Sequence, residues 1–373
     1  MRTRTVPREC LGVLTEVGRR LVSQQDARVL VRPRAQERGF WFGAGNLCRD
    51  RDGALLLCGR YRNAGDARTG IAAGPRGAEV ALLRSQDGGA RFEHVLSLLK
   101  DDVAPEGDEV LSIEGCCLRR VERGFALYVS SEKRRAYPPA VRDRQKPGTG
   151  VWSIDVLEAE SPEALRGARA RPVLCSADPE RLHVKDPVVF DAAGRTWMIY
   201  CAHPFSWTST TACLAAQRPS GRFVARRTTL LPGGSVWDVA ACRVTARLPL
   251  PRVGVLADLP PAALYFYDGA ECMRDHSGGG PPRGCSCEEL GGLAAAFGEA
   301  ARFGGRPSAL TCLTREAPLF VSPYGTGASR YVSVFEGEGE YLVTWEQSQP
   351  DGSHPLVLNR VPKADVARIL GGR

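Results

Sequence analysis

Short stretches in which apolar and polar residues alternate recur along almost the whole chain. Examples are ALLLCGR at 54–60, FALYVSS at 125–131 and TWMIYCA at 196–202. A period of two is the pattern of β-strands, and the Gly- and Asp-rich segments between these runs are typical of tight turns. The chain is therefore predicted to be an all-β protein built from short antiparallel strands.

The predicted strands fall into sets of four that repeat about every 50–90 residues, which is the pattern of propeller blades. The first strand of each set is placed at Gly43–Arg49, Ile113–Arg119, Lys185–Phe190, from Ser235 and from Ser329. The fourth set is expected to continue through Val253–Leu256 and Ala263–Tyr267. The fifth set is one strand short, and Ala27–Arg32 is expected to complete it and close the ring, which leaves no exposed edge.

These sets predict a five-bladed β-propeller at 41–362. An N-terminal helix and the ring-closing strand precede it at 1–40, and a tail follows at 363–373. Helical periodicity is expected in Leu11–Leu21, in ADVARIL at 364–370 and in EELGGLAAAFGEAARF at 288–303. Because SCEE before that apolar run is typical of a helix start, with Ser286 as cap and Glu289 reaching back, a partly helical insertion is expected at about 268–315 of the fourth blade.

The segment SQDGGARF at 85–92 matches the Asp-box pattern S-x-D-x-G-x-x-W/F of sialidase-like propellers. It falls between the third and fourth strands of the first set. Asp87 is expected to cap backbone N–H groups, Gly89 to adopt a positive φ, and Phe92 to pack under the blade. The motif supports the fold and predicts no catalytic role for Asp87.

Composition narrows the classes of partner. Of 373 residues, 43% are apolar and 25% are charged, and the net charge is +8. Basic and acidic residues are interspersed, so no nucleic-acid-binding stripe is predicted. No run approaches the roughly 18–20 apolar residues of a membrane helix, and no secretion signal is recognised, so a cytoplasmic protein is expected.

The chain contains 13 cysteines. Six of them lie in apolar runs, where a free thiol behaves as a small hydrophobe: Cys48, Cys58, Cys175, Cys201, Cys213 and Cys242. One cluster has residue types that bind zinc: Cys272, His276, Cys285 and Cys287. Its C-x3-H and C-x-C spacings are not a usual zinc pattern, and loop thiols are the favoured interpretation. We therefore predict no metal and no cofactor.

In a propeller the first strand of each blade lines the central channel, so polar residues at the starts of these strands meet at one mouth. Those positions hold Asn46, Glu114, Asp186, Asp238 and Arg330. Three of them are carboxylates, which are costly to bury unless they are paired or functional. The alternative is a structural role in ion pairs with basic residues nearby: Arg60, Arg62, Lys185 or Arg330.

Two blades carry short motifs of a known group. KDPVVF at 185–190, followed by GRTWMIYCAHP, and SIEGCCLRR at 112–120, followed by GFALYVS, resemble the D-P and E-G blades of the five-bladed propeller glycosidases. That group includes the arabinanase, xylosidase and fructosidase families and the mannoside phosphorylases. The resemblance covers residues from about 40 to 360 and implies glycoside cleavage by paired carboxylates. The chain departs from it at Asn46, where the hydrolases place an Asp.

The resemblance implies roles for the three acids. Glu114 is expected to be the general acid with a raised pKa, Asp238 the base or nucleophile, and Asp186 the residue that orients it. Trp41 is expected at the same mouth, and a wider set of residues is expected to contact substrate: Asn46, Arg60, Arg62, Asp66, Lys185, His203, Trp207, Trp237 and Arg330. For Trp237, ordinary propeller packing is the favoured alternative.

The predicted function is that of a carbohydrate-active enzyme, a glycoside hydrolase that cleaves a small glycoside. A glycoside phosphorylase is an alternative, because phosphate would replace the carboxylate that is missing at Asn46. Two further alternatives are a non-catalytic propeller that binds glycan or protein, and a propeller that holds Ca²⁺ in its channel. The sequence indicates neither the sugar nor the oligomeric state.

Overall fold

The computed structural model describes residues 7–62, 77–205, 210–271, 289–298, 301, 303 and 308–372. Within them, five antiparallel sheets follow one another along the chain and form the predicted five-bladed propeller. Two α-helices flank the ring in this part of the chain, α1 (Arg8–Leu21) and α2 (Lys363–Leu370), as the periodicity near the chain ends predicted. No helix among these residues is long and apolar enough to cross a membrane.

Each blade is a sheet whose strands are neighbours in sequence, apart from β1 (Arg28–Val31), which joins the last blade. Blade one contains β2 (Trp41–Gly43), β3 (Leu47–Arg49), β4 (Leu55–Arg62), β5 (Glu79–Ser85) and β6 (Glu93–Leu99). Blade two contains β7 (Val110–Val121), β8 (Gly124–Lys133), β9 (Val151–Ala159) and β10 (Arg171–Leu174). Blade three contains β11 (His183–Ala192), β12 (Arg195–His203), β13 (Thr211–Gln217) and β14 (Phe223–Leu231).

Blade four contains β15 (Ala241–Pro249), β16 (Ala262–Ala270), β17 (Leu290–Phe297) and β18 (Thr311–Cys312). Blade five contains β19 (Ser329–Glu336), β20 (Glu340–Gln347) and β21 (Leu356–Pro362), with β1 outermost. Short 3-10 helices occupy Pro139–Arg144, Glu163–Leu165, Pro179–Arg181 and Gly254–Leu256. The chain therefore builds its blades in order, each from the channel outward.

The ring closes as predicted. β1 pairs antiparallel with β21, with Arg28 opposite Leu358, so the N-terminal part of the chain completes the blade formed by the C-terminal part. α1 and α2 pack on the same side of this closure, where Leu14 and Val17 share a core with Val366. Because a Cβ on Gly18 would lie 2.5 Å from Leu293 Cδ2, glycine is what lets α1 approach blade four this closely.

The turn between β5 and β6 forms where SQDGG predicts it. Asp87 accepts hydrogen bonds from the backbone N–H groups of Ala90 and Arg91, at 2.9 and 3.0 Å, and from the Ser85 hydroxyl at 2.7 Å. Gly89 has a φ of +89°. Asp87 therefore has a structural role in the turn between β5 and β6.

Blade four differs from its prediction in two places near its start. Its inner strand is β15, which begins at Ala241 and not near Ser235. The predicted strand Val253–Leu256 is a 3-10 turn over Gly254–Leu256. Prolines at 249, 251, 260 and 261 flank this turn. Because proline has no backbone N–H to donate, these residues prevent the segment from pairing as a strand of the sheet.

The helix predicted within 288–303 is also wrong over its described core, which is the strand β17. This run has no polar face, and in the structure it is buried on both sides between β16 and β18. Gly291 and Gly292 lie against the rings of Phe320 and Tyr267, with no space for a Cβ. An apolar segment with two glycines packs well as a central strand, whereas glycine inside a helix destabilises it by about 1 kcal/mol.

Candidate active site

The inner strands are irregular at one level of the channel. The pairing register with the second strand shifts there in three blades, between Ile113 and Cys116, Lys185 and Val188, and Arg330 and Ser333. Asp186 and Tyr331 lie within these shifts and have φ values of +57° and +54°, which non-glycine residues seldom adopt. Such bulges turn side chains away from the regular alternation and are common beside functional sites.

The bulges of blades two and three meet. The Gly115 N–H donates to Asp186 Oδ1 at 3.1 Å, and the Ser130 hydroxyl, which donates to Gly115 O at 2.8 Å, accepts from the Asp186 N–H at 3.2 Å. A Cβ on Gly115 would lie 2.6 Å from Asp186 Oδ1, so only glycine fits there. Glu114 and Asp186, predicted to meet at the channel, are brought side by side in this way.

Glu114 is the acid of this centre whose side chain reaches solvent, with 14% of its surface exposed. Its Oε2 lies 2.9 Å from Arg60 Nη2 of blade one, and Arg60 is buried. Burial alone would raise the pKa of Glu114, but the positive charges of Arg60, Lys185, Arg62 and Arg330 outweigh it and hold the pKa well below its usual range. The expected raised pKa of a general acid is therefore wrong for Glu114.

Beneath this mouth, Arg243 holds three carboxylates. Its guanidinium lies 3.3 Å from Asp186 Oδ2, 2.7 Å from Asp268 Oδ2 and 3.3 Å from Glu289 Oε1. The guanidinium carbon also lies 4.0 Å from the centroid of the Tyr331 ring. Three acids thus share Arg243 at this floor of the channel.

Arg330 continues the network into blade five. Its Nη1 lies 2.8 Å from Glu289 Oε2, and its Nε lies 2.7 Å from Glu346 Oε2. Burial would raise the pKa of Glu289, but Arg330 and Arg243 lower it to about 2. Arg330 was predicted at this position, and the structure joins it to Glu289 beside blade four and to Glu346 of its own blade.

Asp268 ionises very differently. It is fully buried, accepts the Tyr331 N–H at 3.0 Å and 3.1 Å through its two oxygens, and shares Arg243 with Glu289. Burial raises its pKa to about 7, because Arg243 compensates only in part and the neighbouring Glu289 charge adds to the rise. Asp268 is therefore the acid of the centre that changes protonation near neutral pH.

Sequence reasoning missed several members of this network because they lie outside the inner-strand starts that were searched. Asp268 and Glu346 are on second strands, and Glu289, expected to cap a helix, directly precedes β17. A signal was present: Asp268 in AALYFYDGA and Glu346 in YLVTWEQ are single acids in otherwise apolar strands, where an unpaired charge is too costly to bury. The same holds for Arg243 in ACRVT.

Aromatic and imidazole rings surround the cations of the mouth. The Trp41 ring lies 3.9 Å from the Arg62 guanidinium carbon and stacks on His354 at 4.9 Å. The Lys185 ammonium lies 5.4 Å from the Trp152 ring. Trp41 is buried in these contacts, so its ring faces protein groups and not an open surface.

His183 supports the Lys185 side of the mouth. Its Nε2 lies 3.0 Å from the Tyr137 hydroxyl, and its Nδ1 accepts the Trp152 N–H at 3.3 Å. Burial, with the positive charge of Lys185 next, lowers the pKa of His183 to about 3. His183 is therefore neutral over the working pH range and positions its neighbours without adding charge.

Three predicted site residues lie outside the network. Asn46 hydrogen-bonds the Leu118 N–H and C=O of blade two, at 2.8 and 3.0 Å, and so joins blades one and two. Asp238 is buried inside blade four, where it accepts the Tyr267 hydroxyl at 2.9 Å, and burial raises its pKa. Trp237 stacks on Tyr267 at 5.6 Å, as the packing alternative expected.

Of the remaining predicted residues, the structure describes His203 but not Asp66 or Trp207. His203 ends β12, opposite His183 of β11, with its Nε2 3.7 Å from Cys201 Sγ. Asp66 and Trp207 lie outside the described residues, as do the candidate zinc ligands Cys272, His276, Cys285 and Cys287. Among the residues that are described, no group of three or more His, Cys, Asp or Glu side chains is arranged to hold a metal ion.

No protein-family model matches the sequence, and no curated protein matches it significantly. Solved structures do match. A glycoside hydrolase superimposes with a TM-score of 0.61 and 12% identity, over 95% of this chain and 96% of its own. The α-L-arabinofuranosidase of Lactobacillus brevis gives a TM-score of 0.56 at 13% identity, over 91% of this chain and 94% of its own.

A third match is the β-1,2-mannobiose phosphorylase of Listeria innocua in complex with β-1,2-mannobiose. Its TM-score is 0.55 at 10% identity, and the alignment covers 94% of each chain. At such identities these likenesses concern the fold. The resemblance to the five-bladed propeller glycosidases, predicted from short motifs, is confirmed at that level.

Proposed function

We propose that this propeller is a carbohydrate-active enzyme that cleaves a small glycoside at the mouth of its channel, with Glu114 as the functional carboxylate. One observation carries the proposal: Glu114 reaches solvent from a centre of buried ion pairs, beside the bulge that presents Asp186. An ionised carboxylate that is partly exposed at a channel mouth is placed to contact a ligand. The propeller fold shared with hydrolases and a phosphorylase supports the same class of reaction.

As a hydrolase, the enzyme would use Glu114 as base or nucleophile. A depressed pKa keeps the carboxylate charged at neutral pH, so it can attack an anomeric carbon or accept a proton from water, but it does not donate one. The leaving-group oxygen would take its proton from water at the mouth. Asp186 would position Glu114 through the Gly115 N–H and stabilise positive charge that develops on the sugar. Asp238 would contribute only if it moved from its contact with Tyr267.

A phosphorylase is the second candidate, and the charge around Glu114 favours it. Arg60, Lys185, Arg62 and Arg330 together lower the pKa of this residue, so four cations lie close enough to act on an anion bound beside it. Phosphate is a dianion at neutral pH, and guanidinium groups bind it through paired N–H donors. In phosphorolysis the attacking group would be phosphate itself, so the carboxylate missing at Asn46 would not be needed.

The test is a screen of chromogenic glycosides with wild-type protein and Glu114→Gln, with and without phosphate and with and without EDTA. The matched control is Glu109→Gln, an exposed acid paired with Arg134 at the surface. We expect turnover that Glu114→Gln lowers by about 10²–10⁴-fold while Glu109→Gln leaves it unchanged. Dependence on phosphate would select the phosphorylase.

Two outcomes would contradict the proposal. If Glu114→Gln retained full turnover while folding normally, Glu114 would not be the functional carboxylate. If no glycoside were turned over but a glycan array showed binding that Glu114→Gln abolished, the protein would be a binding propeller. Loss of turnover with EDTA alone would instead support a metal in the channel.

A further inference from the structure

A pair of thiols lies directly below the Arg60–Glu114 ion pair. Cys58 precedes Arg60 by two residues on β4, and Cys116 follows Glu114 by two residues on β7. Their sulfur atoms are 3.7 Å apart, and both residues are buried. Strands β4 of blade one and β7 of blade two are therefore joined by two contacts. One is the Arg60–Glu114 ion pair, and the other is the contact between the Cys58 and Cys116 sulfur atoms.

We propose that Cys58 and Cys116 form a peroxide-reactive pair that closes into a disulfide between blades one and two. This site is independent of the proposed glycoside chemistry. A disulfide requires sulfur atoms about 2.05 Å apart, so the two would approach each other by about 1.7 Å through side-chain rotation. The proposed glycoside cleavage does not use these thiols.

The surroundings of Cys58 favour its thiolate. In the thiol form the Cys58 S–H donates to Asn46 Oδ1 at 3.1 Å. The sulfur itself accepts two hydrogen bonds, from the Asn46 N–H at 3.4 Å and from the Cys116 S–H at 3.7 Å. Burial raises the pKa of Cys58, but these hydrogen bonds to the sulfur outweigh it and lower the pKa. Cys116, which gives a hydrogen bond and is buried, has a raised pKa.

A cavity gives a small oxidant access to this pair. It has a volume of about 220 Å³ and is lined by Asn46, Gly115, Cys116 and Cys117 together with residues of blades three to five, so it reaches the pair at Cys116. Hydrogen peroxide is close to water in size, and such a cavity has room for several molecules of this size. Larger oxidants would not reach the buried sulfur atoms.

The reaction balances with hydrogen peroxide as the oxidant. The Cys58 thiolate attacks one peroxide oxygen, the O–O bond breaks, and Cys58 sulfenic acid and hydroxide form. The Cys116 sulfur then attacks the Cys58 sulfur, the S–O bond breaks, and water leaves with the Cys116 proton. The proton first lost by Cys58 neutralises the hydroxide, so two thiols and one peroxide give one disulfide and two waters.

The neighbouring cysteines provide matched controls. Cys117 is adjacent to Cys116 but packs in the core between blades two and three, whereas Cys116 packs between blades one and two. Cys48 lies in the same core as Cys58, and its sulfur contacts the Arg49 carbonyl at 3.8 Å. Tryptic cleavage places Cys48, Cys58 and the Cys116–Cys117 pair on three separate peptides, at 39–49, 52–60 and 101–119.

The experiment is peroxide treatment of the folded wild-type protein, followed by alkylation, trypsin digestion without reductant and mass spectrometry. We expect a linked 52–60/101–119 peptide that dithiothreitol releases. Cys58→Ser and Cys116→Ser should abolish it, and Cys117→Ser should leave it unchanged. Oxidation should also raise the Tm of wild-type protein, because a link between blades restricts the unfolded chain, and reductant should reverse the rise.

Several results would overturn the proposal. They are a folded wild-type protein that forms no such peptide, a link that Cys117→Ser abolishes and Cys116→Ser does not, and a link to 39–49 in its place. Wild-type protein oxidised in urea shows the random pairing expected without the fold. Because this comparison needs no variant, the proposal stays testable even if a serine substitution impairs folding.

Discussion

The mouth and the floor of the channel are built from the same parts and behave in opposite ways. At the mouth, Glu114 faces four cations and its pKa is depressed. On the floor, Asp268 is fully buried, shares Arg243 with two other acids, and has a pKa raised to about 7, although Arg330 also lowers it in part. The number of cations for each carboxylate, together with its exposure, decides which acid stays charged.

This difference assigns different tasks to the two levels. A carboxylate that is charged and partly exposed is available to a ligand, whereas a buried acid near its pKa serves the fold and costs stability when it ionises.

The largest effect is expected from Arg243→Met, which removes the cation of the floor. Asp186, Asp268 and Glu289 would then remain buried without it, and we expect the free energy of unfolding to fall by about 3–5 kcal/mol in urea titrations. The control Arg119→Met breaks an ion pair with Asp191, whose side chain is 63% exposed, and should cost about 1 kcal/mol or less. Equal effects of both substitutions would show that burial does not distinguish the pairs.

Stability should depend on pH in opposite directions through Asp268 and through Glu114, because one pKa is raised and the other is lowered. The pKa of Asp268 is about 7 in the folded protein against an ordinary value of 3.8, so the folded state holds this proton more tightly. Its contribution therefore favours the folded state below about pH 4 and is lost as pH rises to 7, with a slope of at most about 1.4 kcal/mol per pH unit. Asp268→Asn should flatten this slope in urea titrations at pH 4.5, 6 and 7.5.

Glu114 should show the opposite dependence. Because its folded pKa is depressed, its contribution is present above about pH 4.5 and is lost as pH falls through the folded pKa. Glu114→Gln should therefore leave the slope between pH 5 and 7.5 as it is in wild-type protein. A variant at position 114 that flattened the slope, beside an Asp268→Asn protein that did not, would reverse the assignment of the two acids.

Arg60→Met should make the mouth resemble the floor. Glu114 would keep its burial but lose its nearest cation, so its pKa should rise and a loss of kcat/KM should appear on the acid side. If that pKa reached about 6, the rate at pH 5 would be about tenfold below the rate at pH 7. Arg60→Lys keeps the charge and should keep the flat profile, and an unchanged profile in both variants would contradict the role of Arg60.

The smallest effect is expected from Asp238→Asn. Its amide oxygen still accepts the Tyr267 hydroxyl, so stability should change by about 1 kcal/mol or less, and kcat/KM should not change. A large loss of kcat/KM with normal folding would instead support Asp238 as the base that the sequence predicted.

Local patterns were sufficient for most of the fold. The strands of blades two, three and five, the closing strand near Ala27 and the turn at Asp87 were predicted, because each depends on period-two alternation or on turn residues near it in sequence. In blade one, the inner strand predicted at Gly43–Arg49 is divided into β2 and β3, and Ala44 between them has a φ of +55°. The prediction for blade four was wrong at its prolines and at its apolar, glycine-rich run, because these segments have no such local pattern. There the surrounding strands decided the structure.

The centre was predictable only in part. Glu114, Asp186 and Arg330 were found because inner strands line a propeller channel, whereas Arg243, Asp268, Glu289 and Glu346 were not. Bulges shift the pairing by a residue and change which side chains face the channel, and second strands contribute where the inner strand bends away. Neither effect leaves a period in the sequence.

The amino-acid sequence by itself determined the number of blades, their order and the closure of the ring, because strand alternation and turns are short-range properties. Only the tertiary structure decided which charges meet, and with them the ionisation of Glu114 and Asp268. Residues from all five blades supply the network around these two acids, and a carboxylate's pKa depends on distances between groups that are far apart in sequence.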